Sequence, residues 1–218
     1  MKLKRLVCAL VSVAVLVSFA ACGLKDKKNY VSQLRTDILT GNAEGLEFTA
    51  YAEEREIPLI SDGYAGVRTP VIIIKISSLS AFYGTYEISI TVDGKNYSAS
   101  PELKADTVMR AVIPLEKAFK QKEITVALKG EKNVSATLAS VLPEGVCEYG
   151  KAIDAAFSAI GENAVYEGKK LKGEIFARVL FENGNAYWYV GYANGQTVYS
   201  VLVGADGERV VAQKEFRN

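Results

Sequence analysis

Histidine is absent from this 218-residue chain, and the common catalytic sequence patterns are absent with it. Without imidazole there is no Ser-His-Asp or Cys-His nucleophilic system and no histidine ligand for catalytic zinc. No serine is followed by lysine three residues later, and no nucleophile elbow, phosphate-binding loop, Gly-x-Gly-x-x-Gly or Cys-x-x-Cys pattern occurs. The sequence therefore predicts a protein that is not an enzyme, has no catalytic or metal-binding residues, and uses no cofactor.

An excess of charge of either sign is also lacking, since 26 basic residues face 25 acidic ones. Proteins that bind nucleic acids by electrostatic attraction usually carry a basic surplus on the binding domain. The balance of charge therefore predicts no nucleic-acid partner.

The first 21 residues have the pattern of an export signal. Lys2, Lys4 and Arg5 form a basic start, and an apolar run follows over residues 6–19. This run is shorter than the roughly 20 residues that a membrane-spanning helix needs. Ala20 and Ala21 then offer the small side chains that a signal peptidase requires.

The residues at the end of this signal are Phe19-Ala20-Ala21-Cys22-Gly23. They resemble the lipobox of bacterial lipoproteins, with Phe19 where the family usually has an aliphatic residue. The resemblance implies that the Cys22 thiol receives a diacylglycerol thioether and becomes the new N-terminus, so that the chain is extracytoplasmic and membrane-anchored. Two acyl chains suffice for stable anchoring. The alternatives are an ordinary secretory signal with a chance cysteine, or an uncleaved anchor.

Cysteine is scarce in the mature chain. Of three cysteines, Cys8 leaves with the signal and Cys22 is the expected lipidation site, so only Cys147 remains and no intramolecular disulfide is possible. No lysine or arginine lies within three residues of Cys147, and we expect a small buried side chain rather than a reactive thiol. Removing three of the 26 basic residues leaves 23 against 25 acidic ones, a mature net charge of −2.

The start of the mature chain, residues 22–43, is predicted to be a polar tether and a short helix. Tyr30, Leu34 and Ile38 recur at helical spacing, and Gly41 is placed as a C-cap. We therefore predict an amphipathic helix over residues 29–40.

Residues 44–142 show the pattern of short strands. Leu46, Phe48 and Ala50 alternate with polar neighbours, and Asp93-Gly94 has the signature of a hairpin turn. Further strands are predicted over 71–76, 86–92, 95–100, 108–113, 124–128 and 134–141. This spacing predicts an antiparallel β-sandwich, immunoglobulin-like in shape, although the cysteines and strand-C tryptophan of antibody domains are missing.

Residues 143–218 are predicted to form a second domain, following a boundary at 142–145 that contains proline and glycine. A helix is predicted over 146–160, ending at Gly161, and four strands over 174–182, 185–193, 196–204 and 208–216. Asn183-Gly184, Asn194-Gly195 and Asp206-Gly207 separate these strands and favour type I′ turns. The predicted architecture is a helix packed on one face of a four-stranded antiparallel meander, with its own core and able to fold alone.

A family resemblance rests on the helix around 152–160, the hairpins, and Gly204-Ala205-Asp206-Gly207-Glu208-Arg209-Val210. These features are similar to PepSY-type domains and, more broadly, to cystatin-like folds. The last stretch resembles the Asp-x-x-Gly-x-Val ending of PepSY repeats, with one residue fewer between Asp and Gly. The resemblance implies a non-catalytic module that modulates extracellular peptidases or binds peptides.

Three carboxylates lie close together in the sequence, at Glu53, Glu54 and Glu56. Such a group could hold a hard cation or act as a general acid and base. The three surround Arg55 in a polar stretch, however, and no EF-hand spacing is present. The pattern is more typical of a solvated strand end or loop.

Aromatic residues gather on two adjacent predicted strands of the second domain. Alternation places one set beneath the helix and the other on the opposite face of the sheet; the first set is Trp188, Val190 and Tyr192, and the second is Tyr187 and Tyr189. Exposed tyrosines offer apolar area with a polar end, so Tyr187 and Tyr189 are the predicted ligand-binding residues. The alternative is that cross-strand aromatic pairs stabilise the sheet, or that the other domain covers them.

The function predicted from these features is a non-enzymatic protein- or peptide-binding module at the cell envelope, held to the membrane by lipid on Cys22. Its expected partners are the membrane and an envelope protein or peptide. One alternative is a structural or assembly component of an envelope complex. The least favoured alternative is a carboxylate-dependent hydrolase of envelope polymers.

Overall fold

The computed structural model describes residues 27–167 and 170–217, and the described chain is mostly β. The predicted signal, Cys22 and the start of the tether lie outside the described residues. A 3-10 turn at Lys27–Tyr30 comes first. The strands of the N-terminal part follow: β1 (Val31–Ala43), β2 (Leu46–Arg55), β3 (Thr69–Ser78), β4 (Tyr86–Val92), β5 (Lys95–Ala99), β6 (Glu102–Ala105), β7 (Val108–Pro114), β8 (Glu123–Gly130) and β9 (Val134–Ser140).

The C-terminal part opens with two helices and then returns to strands. Its elements are α1 (Tyr149–Ile160), α2 (Glu162–Val165), β10 (Tyr166–Glu167), β11 (Lys170–Leu171), β12 (Glu174–Glu182), β13 (Asn185–Ala193), β14 (Thr197–Gly204) and β15 (Val210–Arg217). Among the strands that the structure describes, the short β10 and β11 pair with each other in a separate two-stranded sheet. The predicted fold class is confirmed, because a sandwich-like β part is followed by a helix on a four-stranded antiparallel meander.

One continuous sheet runs through both parts of the chain, in the order β15-β14-β13-β12-β1-β2-β3-β7-β6. A second layer, β5-β4-β8-β9, joins it where β9 pairs with β1. Between these layers lies an apolar core to which β2, β3 and β8 contribute Phe48, Ile74 and Val126. The two layers and their shared core form the sandwich, since β2, β3, β4 and β8 bury apolar side chains between the layers.

Helix α1 covers one face of the meander. Its buried residues Ile153 and Phe157 share a core with Trp188, Val190 and Val203 of the sheet. The helix ends at Gly161, whose φ of 95° and backbone N–H bond to the Phe157 carbonyl close the last turn. The predicted helix and its stop at Gly161 are confirmed, with the helix beginning three residues later than expected.

The predicted helix over residues 29–40 is wrong, because this segment forms β1. The strand is buried on both faces where it lies between β2 and β12, so it carries an almost continuous apolar pattern. The spacing of four between Leu34 and Ile38 looks helical because a strand that is buried on both faces carries apolar residues at many spacings, four among them. A bulge between Arg35 and Asp37 shifts the register of β1 against β2. The β-branched residues of the segment also favour a strand.

Gly41 is part of β1 rather than a helix cap. A Cβ at this position would lie 2.4 Å from the carbonyl oxygen of Thr137, so glycine allows β9 to approach. This close approach lets the C-terminal half of β1 pair with β9 while its N-terminal half pairs with β12. Strand β1 consequently belongs to both cores, with Leu39 in the sandwich core and Val31 and Leu34 in the helix-covered core. The division into two domains stays a prediction.

Two predicted turns have the backbone of type I′. Both residues have positive φ in Asp93-Gly94 (50° and 77°) and in Asn183-Gly184 (50° and 78°). The β4–β5 and β12–β13 hairpins therefore form as predicted.

The other two predicted type I′ turns are wrong, although the strands that they join are correct. Asn194 and Asp206 do not have positive φ. Their side chains instead accept backbone hydrogen bonds, from the N–H of Thr197 at 2.9 Å and from the N–H of Glu208 at 2.9 Å. Asx hydrogen bonds of this kind stabilise longer connections and replace the tight hairpin turn.

Candidate functional site

The two faces of the meander differ as the alternation predicts. Trp188 is 3% exposed and lies in the core beneath α1. Tyr187 and Tyr189 are half-buried on the opposite face, which we call the open face. The predicted assignment of side chains to faces is confirmed.

Tyr189 is held in place on the open face. Its hydroxyl lies 3.0 Å from the Ser200 hydroxyl, and its ring lies so close to Gly191 that a Cβ there would be 3.1 Å from the ring. The guanidinium carbon of Arg178, its register partner on β12, lies 5.6 Å from the ring centroid. The ring therefore lies along the sheet, which leaves Tyr189 less free to adjust to a ligand than the sequence suggests.

Tyr187 stands in the same face near the β12–β13 turn. It is half-buried, and its register partners are Leu180 on β12 and Gly204 on β14. A Cβ at Gly204 would lie 3.0 Å from Asp206 Oδ1, so the side chain of Asp206 occupies the space beside that glycine, and the half-buried ring of Tyr187 is accessible only in part.

A charged cluster continues the open face onto β1 and β2. At its centre is Glu53, whose side chain is 0% exposed. Its Oε1 accepts from Arg35 Nε at 2.8 Å and lies 2.7 Å from Arg35 Nη2, and its Oε2 accepts from Gln33 Nε2 at 2.7 Å. Arg55 Nη1 lies 3.9 Å from Oε2. Arg178 joins the cluster through Gln33, since Arg178 Nε donates to Gln33 Oε1 at 2.7 Å.

We call these five residues the arginine cluster: Gln33, Arg35, Glu53, Arg55 and Arg178. Strand register brings them together, since Arg35 lies opposite Glu53 on β2 and opposite Arg178 on β12, and Gln33 lies opposite Arg55. Residues paired across neighbouring strands share a face, so the cluster and Tyr189 face the same side of the sheet.

Aromatic rings lie beside two of the guanidinium groups. The Arg35 guanidinium carbon is 4.1 Å from the centroid of Tyr51, and Arg178 is 5.9 Å from Phe176 as well as close to Tyr189. Stacking of this kind is favourable for arginine and leaves the N–H groups in the guanidinium plane available.

Burial affects the acidity of the cluster. Desolvation, followed by the positive charge of Arg35, lowers the pKa of Arg178. Desolvation also lowers the pKa of Arg55, partly opposed by the negative charge of Glu53. Both shifts follow mainly from burial, and repulsion between the arginines adds to them.

The interpretation of Glu53 as part of a solvated charge run is therefore wrong, since its side chain is fully buried among the arginines. The other two carboxylates lie elsewhere: Glu54 Oε2 is 3.8 Å from Arg68, and Glu56 accepts from the backbone N–H of Gly66. Within residues 27–167 and 170–217, no group of three or more acidic or cysteine side chains is placed to hold a metal ion.

Sequence reasoning missed the cluster because Arg35 was assigned to a helix. The pattern that could have revealed it is the repeated spacing of two, with Gln33 and Arg35 on one segment and Glu53 and Arg55 on the next. Polar residues two apart share one face of a strand. This spacing of polar residues is informative only when residues 31–43 are predicted to form a strand.

A second buried carboxylate, Glu174, anchors the β2–β3 loop at the start of β12. Its Oε1 accepts from the backbone N–H of Gly63 at 2.9 Å, and its Oε2 is buried without a hydrogen-bond partner among the described residues. No sequence pattern singles out this residue. Its contact fixes the middle of the loop that follows Arg55.

Cys147 lies half-buried against the helix-covered core. Burial raises the pKa of its thiol, and the nearby charge of Lys151, four residues along the chain, opposes that shift. The Cys147 carbonyl accepts a hydrogen bond from Trp188 Nε1 at 3.1 Å, which joins this segment to β13.

We compared the chain with protein-family models, curated proteins and solved structures, and none of them matches it. In the part of the chain that the structure describes, no helix has both the length and the apolar character needed to span a membrane.

Proposed function

We propose that this protein is a lipid-anchored envelope protein that binds a protein or peptide non-enzymatically through the open face of its C-terminal sheet. The observation that carries the proposal is the asymmetry of the meander. One face is buried under α1, whereas the opposite face presents half-buried tyrosines beside the arginine cluster.

Aromatic and arginine side chains are the residue types most enriched among the energetically dominant residues of protein interfaces. On the open face they are held by the sheet, so a ligand would not have to order them. Preorganisation of this kind lowers the entropic cost of binding.

The location of the proposed function rests on the lipobox resemblance. Lipidation of Cys22 would place the described residues outside the cytoplasm, a few residues from the membrane surface. The PepSY-type resemblance of the C-terminal part supports peptide recognition rather than catalysis. The absence of histidine from the chain also favours binding over hydrolysis.

The test is a selection of peptides from a display library on the mature chain carrying Cys22→Ser, which keeps it soluble. Affinities of enriched peptides are then measured by fluorescence anisotropy for the parent protein, Tyr187→Lys and Tyr83→Lys. Tyr83 is the matched control, because it is 76% exposed in the β3–β4 loop, away from the open face. We expect Tyr187→Lys to weaken binding at least about tenfold, the equivalent of about 1.4 kcal/mol, and Tyr83→Lys to leave it unchanged. Equal affinities for all three proteins would refute binding at this face.

A second candidate function is assembly through the last strand of the sheet. Strand β15 ends the nine-strand path, so one of its backbone edges is unpaired among the described residues, and Val211 and Phe216 are exposed on it. Unpaired edges can add a strand from another chain. Lys214 and Arg217 on the same strand oppose such pairing, which is why we favour binding at the open face. Sedimentation that depends on protein concentration and is abolished by Val211→Lys would support assembly instead.

A further inference from the structure

We infer that the arginine cluster is a subsite for one carboxylate of an acidic peptide lying on the open face. This inference rests on the proposed function and names the chemical class of its ligand. The site is formed by Arg178 together with the Arg35 and Arg55 groups that flank it.

The charges in the cluster do not balance. The cluster holds three guanidinium groups and the single carboxylate of Glu53, which leaves a local surplus of positive charge in a chain that is almost neutral overall. Arg35 and Arg55 lie within 4 Å of that carboxylate, at 2.7 and 3.9 Å. Arg178 forms no ion pair with any carboxylate in the described residues, and its Nε bonds to the neutral amide oxygen of Gln33.

The surplus positive charge of the arginine cluster lies at a partly buried site. The side chains of Arg35 and Arg55 are each 17% exposed, and Glu53 is fully buried beneath them. Charges removed from water are costly unless they are paired. An anion from outside would supply the missing partner and would be held more strongly here than at an exposed arginine.

The geometry suits a planar anion. Arg178 is flanked by the rings of Phe176 and Tyr189, which lie 5.9 and 5.6 Å from its guanidinium carbon. In-plane N–H groups of a guanidinium can donate two parallel hydrogen bonds to a carboxylate. The Nε of Arg178 is fixed by Gln33, so the orientation of the group is set before a ligand arrives.

A carboxylate matches the site better than a phosphate group. Arg35 and Arg55 lie beside the Glu53 carboxylate, so Arg178 is the guanidinium of the cluster that has no ion-pair partner among the described residues, and its planar fork of donors matches a planar carboxylate. Tyr187 and Tyr189 extend the face with apolar area, which suits the side chains and backbone of a peptide. An acidic peptide residue supplies both features in one ligand.

The first arm of the test titrates N-acetylglutamate methylamide into the 15N-arginine-labelled mature chain carrying Cys22→Ser. The Nε–Hε resonances of Arg178 and Arg209 are followed, Arg209 being an exposed arginine outside the cluster. We expect a saturable shift at Arg178 and none at Arg209. The capped glutamine analogue should produce no shift, and inorganic phosphate should bind more weakly than the glutamate probe.

Equal shifts at Arg178 and Arg209, no shift at Arg178, or preference for phosphate would each overturn the inference. Arg178→Lys retains the charge but loses the fork of donors, and it should weaken binding of the glutamate probe at least about fivefold. Arg209→Gln removes a charge elsewhere and should leave binding unchanged.

The second arm separates this inference from the proposed function. Peptides selected on the mature chain should carry aspartate or glutamate, and replacing that residue by its amide should lower affinity about tenfold. For the Arg178→Gln protein, replacing the acidic residue of the peptide by its amide should change the affinity little, because the guanidinium that pairs with the carboxylate is absent. Some selected peptides could lose affinity for the Tyr187 variant and yet bind equally well after their acidic residues are replaced by amides. That result would support the proposed function and overturn the carboxylate subsite.

Discussion

Trp188 and Tyr187 are consecutive residues of β13 with opposite surroundings. Trp188 packs beneath α1, and its indole N–H is satisfied by the Cys147 carbonyl. Tyr187 is half-buried on the open face. These adjacent residues therefore have different roles: Trp188 stabilises the core, and Tyr187 belongs to the face that we propose for binding.

We expect Trp188→Ala to lower the free energy of unfolding by about 3–5 kcal/mol, because it removes a large side chain from a packed core. Tyr187→Ala should cost less than about 1 kcal/mol, since it vacates no enclosed space. Chemical denaturation of the two variants and the parent measures both values. A larger loss for Tyr187→Ala than for Trp188→Ala would contradict the observed assignment of faces.

Tyr192 is a fully buried tyrosine in the helix-covered core. Its hydroxyl lies within hydrogen-bond distance of the carbonyls of Val165 and Lys172 and donates its one proton there, and its ring meets Phe157 edge-on at 5.5 Å. Burial is the main cause that raises the pKa of Tyr192 to about 12. The neutral phenol is therefore the form that the fold favours.

This raised pKa makes the protein less stable at alkaline pH. Between pH 10 and 12 the unfolded chain loses the phenolic proton while the folded chain keeps it, so unfolding becomes more favourable as the pH rises. For this group the loss is about 1.4 kcal/mol per pH unit within that window, and the contribution is fully present below pH 10. Urea denaturation at pH 9 and pH 11 measures the loss.

Tyr192→Phe is the control for the alkaline loss, since it removes the ionisable hydroxyl and keeps the ring. The variant should be less stable than the parent at pH 9, where its hydrogen bonds are missed, but should lose less stability on going to pH 11. The same loss in both proteins would show that other groups cause it.

Among the elements, β1 decides how the two parts of the molecule are joined. It pairs in parallel with β12 and antiparallel with β2 and β9. Its N-terminal residues Val31 and Leu34 complete the core beneath α1. The sequence predicted a C-terminal part with a core of its own, whereas the structure gives that core a strand from the other end of the chain.

We therefore expect residues 144–218 alone to unfold without a clear cooperative transition, contrary to the expectation from sequence. The fragment would expose the β12 edge and the apolar surface that β1 covers. Adding a synthetic peptide of residues 29–40 should restore a cooperative transition, measured by circular dichroism in urea. A fragment that is as cooperative and stable without the peptide as with it would show that β1 is dispensable.

At the scale of the whole molecule, the proposed lipid anchor is the feature that would relate the sheet to a membrane. The predicted anchor at Cys22 precedes the first described residue, Lys27, by only a few residues. A tether this short would keep both parts of the protein near the membrane surface.

We expect Cys22→Ala to move the protein from the detergent-rich to the aqueous phase, or to leave it as an unprocessed precursor of higher mass. The reason is that the alanine side chain cannot accept the diacylglycerol group. Detergent phase partitioning with mass spectrometry measures both outcomes. Cys147→Ala, at the other cysteine of the mature chain, should partition like the parent. Normal processing and unchanged partitioning of Cys22→Ala would exclude lipid attachment there.

Much of the fold was predictable because it depends on residues close together in the chain. The predicted bounds of β12 and β13 agree with the structure, since Asn183-Gly184 sets the turn and the alternating side chains set the faces. Helix α1 was predictable from its apolar spacing and from Gly161. The placement of Trp188 in the core followed from the same alternation, so that part of the candidate site was also predictable.

What only the tertiary structure decided depends on pairing between distant segments. Residues 31–43 form a strand because β2, β9 and β12 surround them, and these partners outweigh a local spacing that resembles a helix. The arginine cluster exists only through this pairing, since Arg35, Glu53 and Arg178 come from three strands. The sequence determined the chemistry that is available, but the register between strands determined which charges meet, because hydrogen bonding across a sheet is set by partners far apart in the chain.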